Sequence, residues 1–62
     1  MMTSREVTEE YWPTLPTWQH RANEAYIDLV WQSLTMGGIW ACPVALTLFT
    51  KVEDGWEVVT DA

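Results

Sequence analysis

The side chains best suited to chemistry are one imidazole and two carboxylates at four-residue spacing, His20, Glu24 and Asp28. On a helix this spacing places all three on one side, where a His with two carboxylates can contribute to a divalent metal site. A complete site would need further ligands from a loop or a second chain. The simpler interpretation is a solvated helix face on which the positive charge of Arg21 partly compensates the two carboxylates. We therefore expect no metal site and no cofactor.

Cys42 is the single thiol, and His20 is the single imidazole. Cys42 lies on the more apolar face of an alternating segment, and burial among apolar neighbours makes a thiol inert. No Ser, His and Asp set has the spacing of a nucleophilic triad. Gly37-Gly38 is not followed by the Lys and Ser or Thr of a phosphate-binding loop. The sequence predicts a protein that is not an enzyme, without catalytic residues.

The charge balance limits the class of partner. The chain of 62 residues carries nine acids and three bases, which gives a net charge of −6. Direct nucleic-acid binding and binding to anionic membranes need clustered Lys and Arg, so neither is expected. The acidity suits solubility or a basic protein partner. The lone Cys and the acidic N-terminal segment without an apolar core favour a cytoplasmic location.

A stretch without charged residues, from Leu29 to Thr50, is long enough to span a bilayer. It contains several polar residues, the Gly37-Gly38 pair and Pro43, and its hydrophobic period changes midway. A small membrane subunit is therefore an alternative that the composition disfavours.

The N-terminal part has two candidate elements. Residues 3–6, TSRE, match a helix capping box, and Val7 and Tyr11 would share one face of a short helix from Ser4 to about Tyr11. A disordered tail over residues 1–10 is the alternative. Residues 12–18, WPTLPTW, predict an extended strap whose apolar edge packs on its own domain. A proline-motif ligand for an SH3-like domain is the functional alternative.

The clearest helix prediction covers residues about 17–36, with Thr17 as N-cap and Gly37 just past the end. Helical periodicity predicts one narrow buried stripe. Its members are Trp18, Ala22, Ala25, Leu29, Ser33 and Met36. Trp31 interrupts the opposite, polar arc, so we predict that it faces a partner or another chain.

After Gly37-Gly38 the hydrophobic period changes from 3.6 to 2. This predicts an antiparallel β-hairpin with strands at about 39–52 and 56–60. Trp40, Leu48 and Val52 would lie on one face, and Phe49 and Lys51 on the other. A three-residue loop that ends at Gly55 matches the faces best and pairs Val52 with Trp56.

Together these elements predict a single small α+β domain over residues 1–62, with the long helix packed on the hairpin. A chain of this size buries about 60% of its surface, and Trp anchors with self-association are the remaining means of stabilising it. Trp18, Trp40 and Trp56 are assigned to the core. The candidate interface or ligand-binding residues are Trp31, Leu34, Ile27, Val30 and Trp12.

The predicted function is that of a small acidic, non-enzymatic protein-interaction module that self-associates and binds another macromolecule. One alternative is a small-ligand-binding module with a Trp-lined pocket. Another is an acidic inhibitor that imitates nucleic-acid phosphates.

Overall fold

The computed structural model describes residues 1–44 and 47–59 and shows two helices packed on a three-stranded antiparallel sheet. The three strands lie side by side in the order in which they follow one another in the chain. The elements are α1 (Ser4–Tyr11), α2 (Thr17–Ser33), β1 (Ile39–Ala41), β2 (Leu48–Val52) and β3 (Gly55–Val59). The predicted α+β class is confirmed.

Helix α1 begins with the predicted capping box. The Thr3 hydroxyl accepts a hydrogen bond from the Glu6 N–H at 3.2 Å, and the Glu6 carboxylate accepts one from the Thr3 N–H at 2.9 Å. These two bonds satisfy backbone donors that the first helical turn leaves without an intrahelical partner. Val7 is fully buried and anchors the helix to the core. The helical interpretation of this segment is therefore confirmed.

The segment between the helices differs from the predicted extended strap. The Trp12 N–H donates to Thr8 O at 2.9 Å, and the Leu15 N–H donates to Trp12 O at 3.2 Å. These bonds close consecutive turns that reverse the chain and lay α1 against α2. Pro13 and Pro16 lack an N–H, which ends one helix and permits the other to begin.

Helix α2 starts at Thr17, with Pro16 rather than Thr17 in the N-cap position. It ends at Ser33, three residues before the predicted end, because Leu34 is extended with φ −89° and ψ 152°. Residues 35–38 then form a turn in which the Gly38 N–H donates to Thr35 O at 2.8 Å. Gly37 has φ 82°, a value that glycine adopts without strain.

The single predicted strand 39–52 is wrong, because the chain reverses within it. β1 and β2 form a hairpin in which Trp40 pairs with Phe49, and Cys42 N–H donates to Thr47 O at 2.9 Å. Pro43, which cannot donate to a ladder, lies in the reversal. Ala45 and Leu46 of the predicted strand, and Thr60 of the predicted second strand, lie outside the described residues.

The predicted register of the second hairpin is wrong by one residue. Val52 pairs with Gly55 instead of Trp56, so the loop contains only Glu53 and Asp54. A slip of one residue exchanges the two faces of a strand. Phe49 and Lys51 therefore lie on the same inner face as Trp56. The prediction had placed Trp56 on the opposite face.

The core between helices and sheet is aromatic. The Phe49 and Trp56 side chains are fully buried, and their ring centroids are 6.2 Å apart in an edge-on arrangement. Trp40 stacks on Phe49 at 5.8 Å, and Tyr11 meets Phe49 edge-on at 5.3 Å. The Trp56 indole N–H donates to the Ser4 hydroxyl at 3.4 Å. The core assignment holds for Trp56, and the half-buried Trp40 packs against the same cluster.

Candidate interaction surface

The buried stripe that periodicity predicted on α2 lies on the outside of the molecule. Trp18 is 75% exposed and Leu29 is 64% exposed, and Ala22 and Ala25 between them are also exposed. We call these four residues the outer stripe. The assignment of Trp18 to the core is therefore wrong. The outer stripe is an apolar helix face that no segment in the described part of the chain covers.

The opposite side of α2 carries the packing. Ile27 is fully buried in the core. The Asn23 side-chain amide donates to the Thr8 hydroxyl at 3.2 Å, and that hydroxyl donates to Ser4 O at 3.0 Å. These contacts fix the rotation of α2 about its axis. Because Ile27 lies half a turn away from the outer stripe, burying one side exposes the other.

Trp31 lies between α2 and the sheet. Its indole N–H lies 3.2 Å from Val52 O and 2.8 Å from Gly55 O, the two carbonyls that flank the β2–β3 loop. The Lys51 ammonium lies 3.8 Å from the centroid of its ring and donates to Leu34 O at 2.8 Å. Trp31 therefore ties the end of α2 to the hairpin. Its predicted contact with a partner stays a prediction.

The other predicted interface residues also pack inward. Ile27 has no exposed surface, and Val30, Leu34 and Trp12 are half-buried against the core. Only Trp12 adjoins the outer stripe. It shares an open groove of about 460 Å³ whose lining includes Leu15, Trp18, Ala22 and Tyr26. The structure thus brings one of the five predicted residues to the exposed apolar face.

Charged residues border one flank of the outer stripe. Arg21 and Asp28 are both exposed and, seven residues apart, lie on the same side of α2. Among the described residues the only ion pair joins Arg5 to Glu24, with an N···O distance of 3.7 Å. Arg21 and Asp28 are therefore available to charges outside the chain.

The sheet presents a second apolar surface on the side away from the helices. Ile39 is 52% exposed and Leu48 is 38% exposed, and the ladder places both on the face opposite Trp40 and Phe49. The Gly38 carbonyl accepts from the Lys51 N–H at 2.9 Å. In an antiparallel ladder alternate residues bond the neighbouring strand, so the backbone of Ile39 and Ala41 points to the free edge of β1.

Acidic side chains gather where α2 approaches the β2–β3 loop. An open groove of about 350 Å³ there is lined by Trp31 and four carboxylates, Glu24, Asp28, Glu53 and Asp54. The cluster gives this end of the molecule a negative surface.

Two of the residues considered for catalysis or metal binding, His20 and Cys42, are partly or fully buried. His20 Nε2 lies 3.0 Å from Leu15 O, and because a carbonyl only accepts, this nitrogen carries the proton. Cys42 is 2% exposed. Within the described ranges no three His, Cys, Asp or Glu side chains are grouped so that they could bind a metal ion. Neither described helix is both long and apolar enough to cross a bilayer.

No protein-family model, curated protein or solved structure matches this chain. All four residues of the outer stripe belong to the apolar stripe that helical periodicity predicted.

Sequence reasoning found the residues of the outer stripe but placed them on the wrong side. α2 has two apolar sides, one centred on Ile27 and one on Ala25, and periodicity favours the narrower and more regular one. A signal for the correct choice was present in Trp31. Trp31 lies opposite the predicted buried stripe. A Trp is usually buried with its indole N–H hydrogen-bonded, so its position indicates that this opposite side of α2 faces the core.

Proposed function

We propose that this protein is a small, acidic, non-enzymatic interaction module of the cytoplasm that self-associates through the outer stripe of α2. The observation that carries the proposal is the exposure of Trp18 and Leu29, at 75% and 64%, on one continuous helix face. Large apolar side chains exposed together, bordered by charges, mark interaction surfaces rather than ordinary solvated helices. The cytoplasmic location is supported by the single, buried Cys42 thiol.

The free energy available from covering this face is substantial for so small a chain. A Trp side chain buries on the order of 150–250 Å², so covering the exposed three quarters of Trp18 contributes roughly 3–5 kcal/mol at about 25 cal/mol/Å². Loss of translational and rotational freedom opposes association by an amount of similar size or larger. Trp18 and Leu29 together therefore support a specific but moderate affinity.

The geometry favours a macromolecular partner over a small ligand. Trp40 and Trp56, which would line an interior pocket, have ring centroids 5.4 Å apart and fill the space between them. The groove beside Trp12 and Trp18 is open, whereas ligand sites enclose most of a bound molecule. An extended, open surface of this kind suits a protein.

Self-association is tested by light scattering coupled to size-exclusion chromatography over a range of concentrations. The wild type is expected to change from monomer to dimer between low and high micromolar concentration. Leu29→Glu places a charge in the outer stripe and should shift this change upward by at least about tenfold, which corresponds to about 1.4 kcal/mol.

Leu48→Glu is the matched control, since it makes the same chemical change on the outer face of the sheet. It should associate as the wild type does. A wild type that stays monomeric at several hundred micromolar would contradict the proposal.

The acidic groove supports a further part of the proposal, a basic protein partner. Glu53 and Asp54 at the hairpin tip face Glu24 and Asp28 across it. Binding of a basic peptide at this place should weaken steeply as salt rises from 50 to 300 mM, because exposed charges are screened over about 10 Å at 0.1 M salt. Affinity that is insensitive to salt would argue against such a partner.

A further inference from the structure

The outer stripe has a symmetry in its own sequence. Trp18 and Leu29 lie at its two ends, and Ala22 and Ala25 lie between them. Both pairs are equally distant from a point between Asn23 and Glu24. A second copy that runs antiparallel about this point would set Trp18 against Leu29 of the partner at both ends and Ala22 against Ala25 in the middle.

This arrangement satisfies the packing requirements of two helices. Antiparallel helices approach to about 8–10 Å, and the closest approach needs small side chains where the axes cross. The two alanines supply them at the centre. The large side chains are at the ends, where the diverging helices leave more space. The polar side-chain contacts of α2 with α1 among the described residues are made by Asn23 and Glu24, on sides turned away from the centre of the stripe.

Charge complementarity selects the same orientation. Arg21 and Asp28 occupy the same flank of α2, and in an antiparallel pair the same flanks of the two helices face each other. The rise of 1.5 Å per residue puts Arg21 about 3 Å along the axis from the position of Asp28 of the partner. An arginine side chain bridges that offset. The two-fold axis forms the contact twice.

We propose that the occupant of the outer stripe is a second copy of this chain, held as a two-fold antiparallel α2 pair with two Arg21–Asp28 contacts between protomers. This inference rests on the proposed function and specifies its geometry. The contact covers about three turns of each helix, which belongs to the small class of interfaces below about 1,200 Å² in total. We therefore expect a dissociation constant in the micromolar range.

The test uses single charge reversals on the full chain, measured by sedimentation equilibrium. Arg21→Glu sets like charges against Asp28 of the partner, and Asp28→Arg sets like charges against Arg21 of the partner. Each should weaken the homodimer by at least about tenfold. Asp28→Arg separates this geometry from a general charge effect. It changes the net charge of the chain from −6 to −4, and the weaker repulsion between copies would by itself strengthen association.

Complementation completes the experiment. The double variant Arg21→Glu/Asp28→Arg restores both contacts and should dimerise within about threefold of the wild type. An equal mixture of the two single variants should form a heterodimer in which both contacts are again complementary. Glu57→Arg makes the same charge change as Asp28→Arg on the exposed Glu57 of β3, away from α2, and is the control that should not weaken the homodimer. Circular dichroism confirms that each variant is folded.

The outcomes separate the geometry from the proposed function. If Leu29→Glu weakens the dimer but the double charge variant does not recover it, the antiparallel arrangement is overturned and self-association through the outer stripe stands. If Asp28→Arg alone strengthens the dimer, the arrangement is also overturned. A wild type that is monomeric throughout overturns both.

Discussion

At the scale of single residues, a few polar groups placed against backbone carbonyls hold the helices to the sheet. The Trp31 indole reaches the carbonyls of Val52 and Gly55, and the Lys51 ammonium reaches the carbonyl of Leu34 at the C-terminal end of α2. The last carbonyls of a helix lack intrahelical partners and carry partial negative charge, so a cation there is stabilising. This explains why a lysine is only 9% exposed on the inner face of the sheet.

Trp31→Phe keeps an aromatic ring beside Lys51 and removes the indole N–H. The carbonyls of Val52 and Gly55 then lose a shared donor, and the free energy of unfolding should fall by about 1–3 kcal/mol. Denaturant unfolding followed by far-UV circular dichroism at low micromolar concentration measures this change. Trp18→Phe at the exposed outer stripe is the control and should stay within about 0.5 kcal/mol of the wild type. Equal losses for both variants would contradict the assigned role of Trp31.

The pKa of the Glu6 carboxyl is lowered below its ordinary value of 4.5. The backbone N–H of Thr3 is the largest cause and the Thr3 side chain the second; slight desolvation opposes them, and the N-terminal ammonium adds a smaller lowering. A lowered pKa in the folded state means that ionised Glu6 stabilises the fold above its unfolded pKa. This stabilisation is lost as the pH falls through the folded pKa.

We therefore expect wild type and Glu6→Gln to differ in stability by a constant amount near neutral pH. The difference should shrink as the pH falls below about 4.5. Urea unfolding at a series of pH values measures it. Glu9→Gln makes the same charge change on α1 outside the capping box, and a pH dependence equal to that of Glu6→Gln would refute the assignment.

At the scale of elements, the connection from α2 to β1 is a turn joined to a bulge. The Gly37 N–H donates to Lys51 O at 3.0 Å, and the Lys51 N–H donates to Gly38 O at 2.9 Å. Gly37 and Gly38 thus lie opposite the single residue Lys51. The first of the two, Gly37, has φ 82°, and this arrangement is a G1 bulge. A Cβ on Gly38 would lie 2.9 Å from Thr35 O, so the two glycines serve different purposes.

Gly37→Ala should lower the free energy of unfolding by about 1–2 kcal/mol, because the residue keeps a left-handed conformation that alanine adopts at a cost. No atom lies within 4 Å of the position of its Cβ, so backbone strain is the cause and not a collision. Gly37→Asn should lose less, since asparagine enters this region more readily. Thermal unfolding of the two variants compares them, and a larger loss for asparagine would exclude this explanation.

The helices were predictable to a greater extent than the strands. The capping box at Thr3 and Glu6 is a local pattern, and local patterns survive folding. The reversal at Pro43 and the register at Val52 depend on which residues the helices cover, and periodicity within one strand contains no such information. The register error placed Lys51 on the face opposite Trp56, although the carbonyl of Leu34 and the ring of Trp31 make burial of Lys51 beside Trp56 favourable.

At the scale of the whole molecule, the helical layer is covered on one side only. The sheet and the helices share one aromatic core, while the outer stripe of α2 and the outer face of the sheet remain open on opposite sides. The principal extents are 30 × 25 × 17 Å, and with so thin a body each element has one face near the surface. Sequence could predict that apolar surface would be left over. Periodicity alone chose the wrong side, because the rotation of α2 about its axis depends on how α1 and the sheet fix it.

The bridge between Met2 and Trp56 bears on whether further strands can add to the sheet. Met2 and Trp56 exchange two backbone hydrogen bonds of 2.7 Å, and Gly55 leaves room for this approach, because a Cβ there would collide with Met2 O. The outer edge of β3 is thereby occupied at Trp56, near the start of the strand, whereas no strand among the described residues pairs with the outer edge of β1. A sheet that can add strands on both sides can grow without end, but one that can add them on a single side stops after one pairing. The Met2 bridge therefore obstructs the addition of a further strand at the start of β3.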